Sequence, residues 1–95
     1  MNNQYYECHA TMIGDPDVIE QDVNDLGWKF SKIDGDPILG EGIKCYATKH
    51  YPVKMDQKVV VQNVNSVAMA LKNLKHKVIR DKVELVIYDS KLVRI

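Results

Sequence analysis

Four stretches of this 95-residue chain alternate apolar and polar side chains, and that period commits them to strands with one face buried and the other open. In Tyr6-Glu7-Cys8-His9-Ala10-Thr11-Met12, the residues Cys8, Ala10 and Met12 point one way, and Glu7, His9 and Thr11 the other. In Ile43-Lys44-Cys45-Tyr46-Ala47-Thr48, Ile43, Cys45 and Ala47 oppose Lys44, Tyr46 and Thr48. From Arg80 to Tyr88, Val83, Leu85 and Ile87 oppose Arg80, Lys82, Glu84 and Tyr88. Trp28 to Ile33 gives the fourth stretch, with Trp28 and Phe30 facing inward. A merely solvated face carries Lys, Glu, Ser and Thr. The polar phase here also collects His9, Arg80 and the tyrosines Tyr5, Tyr46 and Tyr88.

Two helices separate these strands. Asp15 is suited to accept from orphan backbone N–H groups, and Pro16 fits the first helical position. Ile19, Val23 and Leu26 then recur as one apolar stripe, and Gly27 ends the helix. Asp56 caps a second, longer helix. Val60, Val64, Val67, Ala68, Leu71 and Leu74 keep the 3.6-residue period through it, up to Lys75-His76-Lys77. Asp34 to Gly42 holds three glycines and a proline, so a loop or wide hairpin turn is expected there, with the next strand starting at Ile43 and stopped by Pro52. The last strand is expected over Val78 to Tyr88, with Lys91 to Ile95 as a loosely held tail.

The order is β-α-β-β-α-β. Helices with one apolar stripe and strands with one apolar face pack economically as two layers. The expected fold is therefore α+β and ferredoxin-like, a single domain over residues 1–95. Both helices lie on one face of a four-stranded antiparallel sheet of order 4-1-3-2. The helices should cover Cys8, Ala10, Met12, Cys45, Ala47, Val83, Leu85 and Ile87. In particular, Val64, Leu71 and Leu74 should pack onto Cys8, Ala10, Cys45 and Leu85.

A chain of 95 residues buries roughly two-thirds of its unfolded surface, which suffices without metal or disulfide support. The formal net charge is zero, so no whole-protein attraction to nucleic acid or to an anionic membrane is expected. The charge is unevenly placed: Asp15 to Asp25 holds five acidic residues and no basic one, whereas Lys72 to Lys82 holds five basic and one acidic. Matching of helix dipoles accounts for this pattern. Cys8 and Cys45 sit on the apolar side of their strands and are expected to be reduced and unreactive. Without CxxC spacing or a leader-like start, the expected compartment is the cytoplasm, and no apolar run is long enough to span a membrane.

The open face offers several chemistries. His9-Ala10-Thr11 is a His-x-Thr on a strand, similar to the motif of two-histidine phosphoesterases, in which the histidine does acid/base work and the threonine holds a phosphate oxygen. That makes His9 and Thr11 the candidate catalytic residues. The family uses two such motifs, however, and His50-Tyr51-Pro52 and His76-Lys77-Val78 supply no second copy. Tyr46, Tyr5 and Tyr88 beside Lys44, Arg80 and Lys82 suit sheet-face RNA binding, with rings to stack bases and cations to hold phosphates. The RNP signatures are absent, and Glu7 and Glu84 would repel phosphate. A nucleotide or other small anionic ligand fits equally well. The competing reading is a set of ordinary cross-strand salt bridges. The candidate ligand-binding set is His9, Lys44, Tyr46, Thr48, Arg80, Lys82, Glu84 and Tyr88. No metal or cofactor is expected: Asp34-Gly35-Asp36 begins like a calcium loop but lacks the rest of it, and no nucleotide-binding fingerprint occurs.

Trp28-Lys29-Phe30-Ser31-Lys32-Ile33-Asp34-Gly35-Asp36 with Leu39-Gly40-Glu41-Gly42-Ile43-Lys44-Cys45-Tyr46-Ala47-Thr48-Lys49-His50 resembles a family of small tailed-phage proteins. Tyr6 to Met12, Arg80-Asp81-Lys82-Val83-Glu84 and Ile87-Tyr88-Asp89 are similar too. The resemblance implies a phage-encoded accessory protein in a bacterial cytoplasm and carries no catalytic residue with it. The expected role is a non-enzymatic binding module. Its open sheet face would engage a small anionic ligand or a protein partner, a host factor among them. The alternatives are a small phosphoesterase or nucleotide/RNA binder using His9 and Thr11, and a homodimer formed through that face.

Overall fold

The computed structural model describes residues 4–36 and 40–87. The elements run β1 (Tyr5–Ile13), α1 (Pro16–Asp25), β2 (Lys29–Asp36), β3 (Gly40–Pro52), α2 (Gln57–Asn73) and β4 (Lys77–Val86). All strand pairs are antiparallel. The strands lie in the order β2-β3-β1-β4, or 4-1-3-2 counted from the opposite edge, which puts β1 and β3 inside. Cys8, Ala10, Met12, Cys45 and Ala47 form one core with Ile19 and Val23 of α1 and Val60, Val64 and Leu71 of α2. Both helices therefore cover the same face of an α+β sheet.

Local signals explain where the helices begin and end. The Asp15 carboxylate accepts from the Asp17 N–H at 3.0 Å, and the Asp56 carboxylate accepts from the Lys58 N–H at 2.9 Å. Both helices stop in the same two-bond turn. In α1, the Trp28 N–H reaches the Val23 carbonyl and the Gly27 N–H reaches that of Asn24. Gly27 holds the left-handed φ of 78° that this turn requires. In α2, His76 N–H reaches Leu71 and Lys75 N–H reaches Lys72. Here a lysine takes the left-handed position, at φ 73°, a conformation that costs an L-residue about 1–2 kcal/mol. The turn delivers the largely buried His76 ring to Asp22 of α1, with Nε2 2.6 Å from the carboxylate. One hydrogen bond thus ties the end of the second helix to the first.

Several expectations need correction. Leu74 is 50% exposed, because α2 ends at Asn73 and its cap turns off the apolar stripe. Leu85 is 51% exposed and Ile87 is 65% exposed. Leu85 stands opposite Tyr6 on an edge strand, and Ile87 lies past the strand's end, so neither is covered by the helices. Ile43 is also exposed, on a hairpin arm that runs beyond the helical layer. The Asp34–Gly42 segment is mostly strand rather than loop. β2 and β3 pair out to Asp36 and Gly40, with a register shift at Gly35, whose φ is 80°. The expected tail at Lys91 to Ile95 lies outside the described residues.

A bulge sets the phase of β4. Arg80 pairs with Thr11 but Val78 pairs with Met12, leaving Ile79 as the extra residue. Val78 and Val83 are an odd number of positions apart, yet both pack against the core because of that insertion. Arg80, Lys82 and Glu84 keep to the opposite face.

Burial raises the thiol pKa of both cysteines. Cys8 is pushed up to about 11, by desolvation first and then by the charge of Glu7. Cys45 is raised, again chiefly by desolvation. Neither is in a disulfide. Both should label slowly with a thiol reagent in the native protein and quickly in denaturant; rapid native labelling would contradict their placement. The core assignment predicts that Leu71→Ala costs about 2–5 kcal/mol in a denaturant melt. Leu74→Ala should cost about 0.5 kcal/mol or less.

Candidate functional site

The open face is ordered in rows across the sheet, because directly paired residues of antiparallel strands share a side. One row reads Lys29, Thr48, His9 and Lys82 from β2 to β4. The next reads Ser31, Tyr46, Thr11 and Arg80. On the other side of the first row lie His50, Glu7 and Glu84.

The register places Glu7 directly opposite Glu84, an unfavourable pairing of like charges. Each carboxylate is balanced by its own neighbours. Glu7 Oε1 lies 2.6 Å from His9 Nε2, and its Oε2 lies 3.2 Å from His50 Nε2. Glu84 Oε1 lies 2.5 Å from Lys82 Nζ. The hydrogen bond to Lys82 and then the charge of Lys82 hold the Glu84 carboxyl below its usual range, with smaller help from His9 and Arg80.

His9 is held at both nitrogens. A carboxylate offers only lone pairs, so Nε2 carries the hydrogen toward Glu7. In the neutral ring Nδ1 then accepts from the Thr48 hydroxyl, 3.0 Å away across the β1–β3 pair. The Tyr46 ring stands edge-on to the imidazole, with centroids 6.3 Å apart. Tyr5 packs on His50 at 4.7 Å. The chain Tyr5–His50–Glu7–His9–Thr48 is thus one connected polar network over the two central strands. It can orient a ligand at the Tyr46 side, and it can hold a proton at His9.

His9, Thr48, Lys82, Tyr46, Arg80 and Glu84 are brought together in these rows. Lys44 is not part of the cluster: it is 4% exposed and its ammonium donates to the Glu41 carbonyl at 2.7 Å and, more weakly, to that of Gly42. It serves the hairpin arm. Thr11 is 2% exposed, beneath its neighbours. Tyr88 lies outside the described residues. Sequence reasoning left Glu7, His50 and Lys29 out of the site. His50 was legible, since it continues the phase of Lys44, Tyr46 and Thr48; the Glu7–His50 contact depends on the β1–β3 register. Among the described residues, no group of three His, Cys, Asp or Glu is placed to hold a metal ion. None of their helices is long and apolar enough to cross a membrane.

No family model matches the chain, and no significant match to it is found among curated proteins or solved structures.

The Glu84 carboxyl supplies a pH test. A carboxyl with a lowered folded pKa contributes stability above its unfolded pKa and loses it as pH falls through the folded value. An NMR titration should place the Glu84 midpoint below the ordinary carboxylate range. Lys82→Ala should move that midpoint up, while the melting temperature changes little because the pair is half-exposed to solvent. An unmoved midpoint would mean that Lys82 is not the partner.

Proposed function

We propose that this protein is a ferredoxin-like accessory module, non-enzymatic, that binds an anionic ligand or the acidic surface of a partner on the open face of its sheet. The observation that carries the reading is Arg80. Arg80 is half-buried and makes no ion pair with a described carboxylate, whereas Lys82 is paired with Glu84 and Lys44 is folded onto backbone carbonyls. Arg80 shares a row with Tyr46 and flanks the His9–Lys82 row, so a planar anion can meet a fork of donors beside an aromatic ring. The resemblance to small tailed-phage proteins extends the proposal to a phage-encoded role in a bacterial cytoplasm. In that setting a host protein is the natural partner.

The rival reading is a phosphoesterase or nucleotide/RNA binder using His9 and Thr11. Glu7 behind His9 favours it, because a carboxylate-held imidazole is a competent base. The burial of Thr11 weighs against it, since a phosphate oxygen must reach that hydroxyl.

Fluorescence titrations with single-stranded RNA, single-stranded DNA, a nucleotide panel and an acidic peptide test the proposal. Arg80→Ala and Tyr46→Ala should each abolish or sharply weaken the binding seen, with the fold intact by circular dichroism. A nucleic acid would show a log–log salt slope of about −0.7 per phosphate contacted, and a nucleotide a shallower one. Binding that survives both substitutions, or no binding by any of these anions, would reject the open-face reading.

A further inference from the structure

The two edges of the sheet are unlike each other. β2 carries Lys29, Lys32 and Asp34, and its outer end is broken by the register shift at Gly35. Edge charges and bulges of that kind are how sheets discourage further pairing. The other edge is β4, and among the described residues no strand pairs with its outer side. Its second half reads Val83-Glu84-Leu85-Val86-Ile87, with a single charge, and both Leu85 and Ile87 are large exposed apolar groups. A groove runs alongside between this strand and α2, lined by Val61, Val64 and Val83 and by Asn65, Asp81 and Lys82. Val61 of α2 is itself exposed. An unpaired strand edge beside a groove of mixed polar and apolar lining has the form that accepts an added strand.

We infer that β4 pairs antiparallel with β4 of a second copy of this chain, joining two sheets into one of eight strands. Charge complementarity in the register identifies the occupant. A two-fold axis normal to the sheet keeps both helical layers on the same side and pairs residues of the same phase. With the axis at Val83, Lys82 stands opposite Glu84 of the second copy, and the pair occurs twice. Val83 meets Val83, and Arg80 meets Val86. Moving the axis to Lys82 sets Arg80 opposite Glu84 twice but puts that lysine opposite itself between them. Moving it to Glu84 sets the two glutamates together, and moving it to Asp81 sets Arg80 against Lys82. Of these four registers, only the Val83 one turns the charges of β4 into attraction with no like-charge pair beside it. It also lays Leu85 of each copy over Asp81 and toward the other's α2 groove, which removes the exposed leucine from water. Both open faces then lie on one side, with Arg80 and Lys82 of the two copies gathered near the axis. A single strand pair buries less than the roughly 1,200 Å² of a standard interface. The dimer is therefore concentration-dependent, not obligate.

Sedimentation velocity on the full chain over a concentration series reads the equilibrium. The unmodified protein should move from monomer to dimer as concentration rises. Leu85→Lys alters an exposed position and so leaves the melt unchanged; it should raise the dissociation constant at least about tenfold, equivalent to about 1.4 kcal/mol. Lys82→Glu alone and Glu84→Lys alone should each weaken the dimer, and the double variant should restore it, because the swap recreates both cross-axis pairs. A chain that stays monomeric throughout would overturn the inference. So would a dimer insensitive to Leu85→Lys, or single charge reversals that the double variant fails to rescue. A dimer lost instead on Tyr46→Ala would place the contact on the open face. Anion binding by a strictly monomeric protein would leave the proposed function standing while this inference falls.

Discussion

Cys8, Ala10, Cys45 and Ala47 are small residues at the centre of the sheet, and their size lets Val60, Val64 and Leu71 sit close against it. Everything else in the molecule is arranged around that approach. A layer this tight has no room for an added methylene without strain, and no slack to absorb a lost one. The aromatic residues Trp28, Tyr6 and Phe30 also pack against this core, with Met12, Ile19 and Leu71 its largest fully buried side chains. The same tightness keeps both thiols away from water and so un-ionised. The His76–Asp22 bond then braces the two helices against each other at the end where neither is long.

On the opposite face the register imposes a cost. Glu7 and Glu84 are brought side by side, and a pair of carboxylates on adjacent strands is tolerated only with compensating hydrogen bonds or charge. His9 and His50 converge on one, and Lys82 lies against the other. Lys82 and both histidines are thereby engaged within the chain. What is left for a ligand is narrower than the composition of the face suggests. Arg80, the Tyr46 ring and the donors around them form the usable part.

Much of the fold was legible in the sequence because its signals are local and agree with one another. Asp15, Pro16 and Gly27 bound the first helix through backbone hydrogen bonds within a few residues. The strand phases of Cys8, Ala10 and Met12 and of Cys45 and Ala47 survive unchanged. What was not legible depends on pairing. The bulge at Ile79 is a property of two strands at once, so a single-strand pattern cannot announce it. The depth of Lys44 goes with the two carbonyls that accept its ammonium, although alternation alone places it in solvent. Leu85 keeps the inward phase but lacks a helix above it, since coverage is a tertiary fact. The site was half legible for the same reason. Its row mates could be named from phase, but the link from Glu7 to His50 awaited the β1–β3 register.

The position of β1 also has a bearing on how the chain comes to be folded. It lies between β3 and β4, and its apolar side chains are covered by a helix that follows β3 in sequence. Synthesised before either neighbour, this strand has no lasting partner until β3 has been made, and its second edge stays unpaired until β4 has emerged. Closing a loop from β1 to β4 must precede that last pairing, which slows such topologies relative to ones built from neighbours. During the interval Cys8, Ala10 and Met12 lie on a strand with an open edge, the form in which nascent chains associate wrongly. A cell making this protein quickly therefore has reason to hold that segment on a chaperone until β4 arrives.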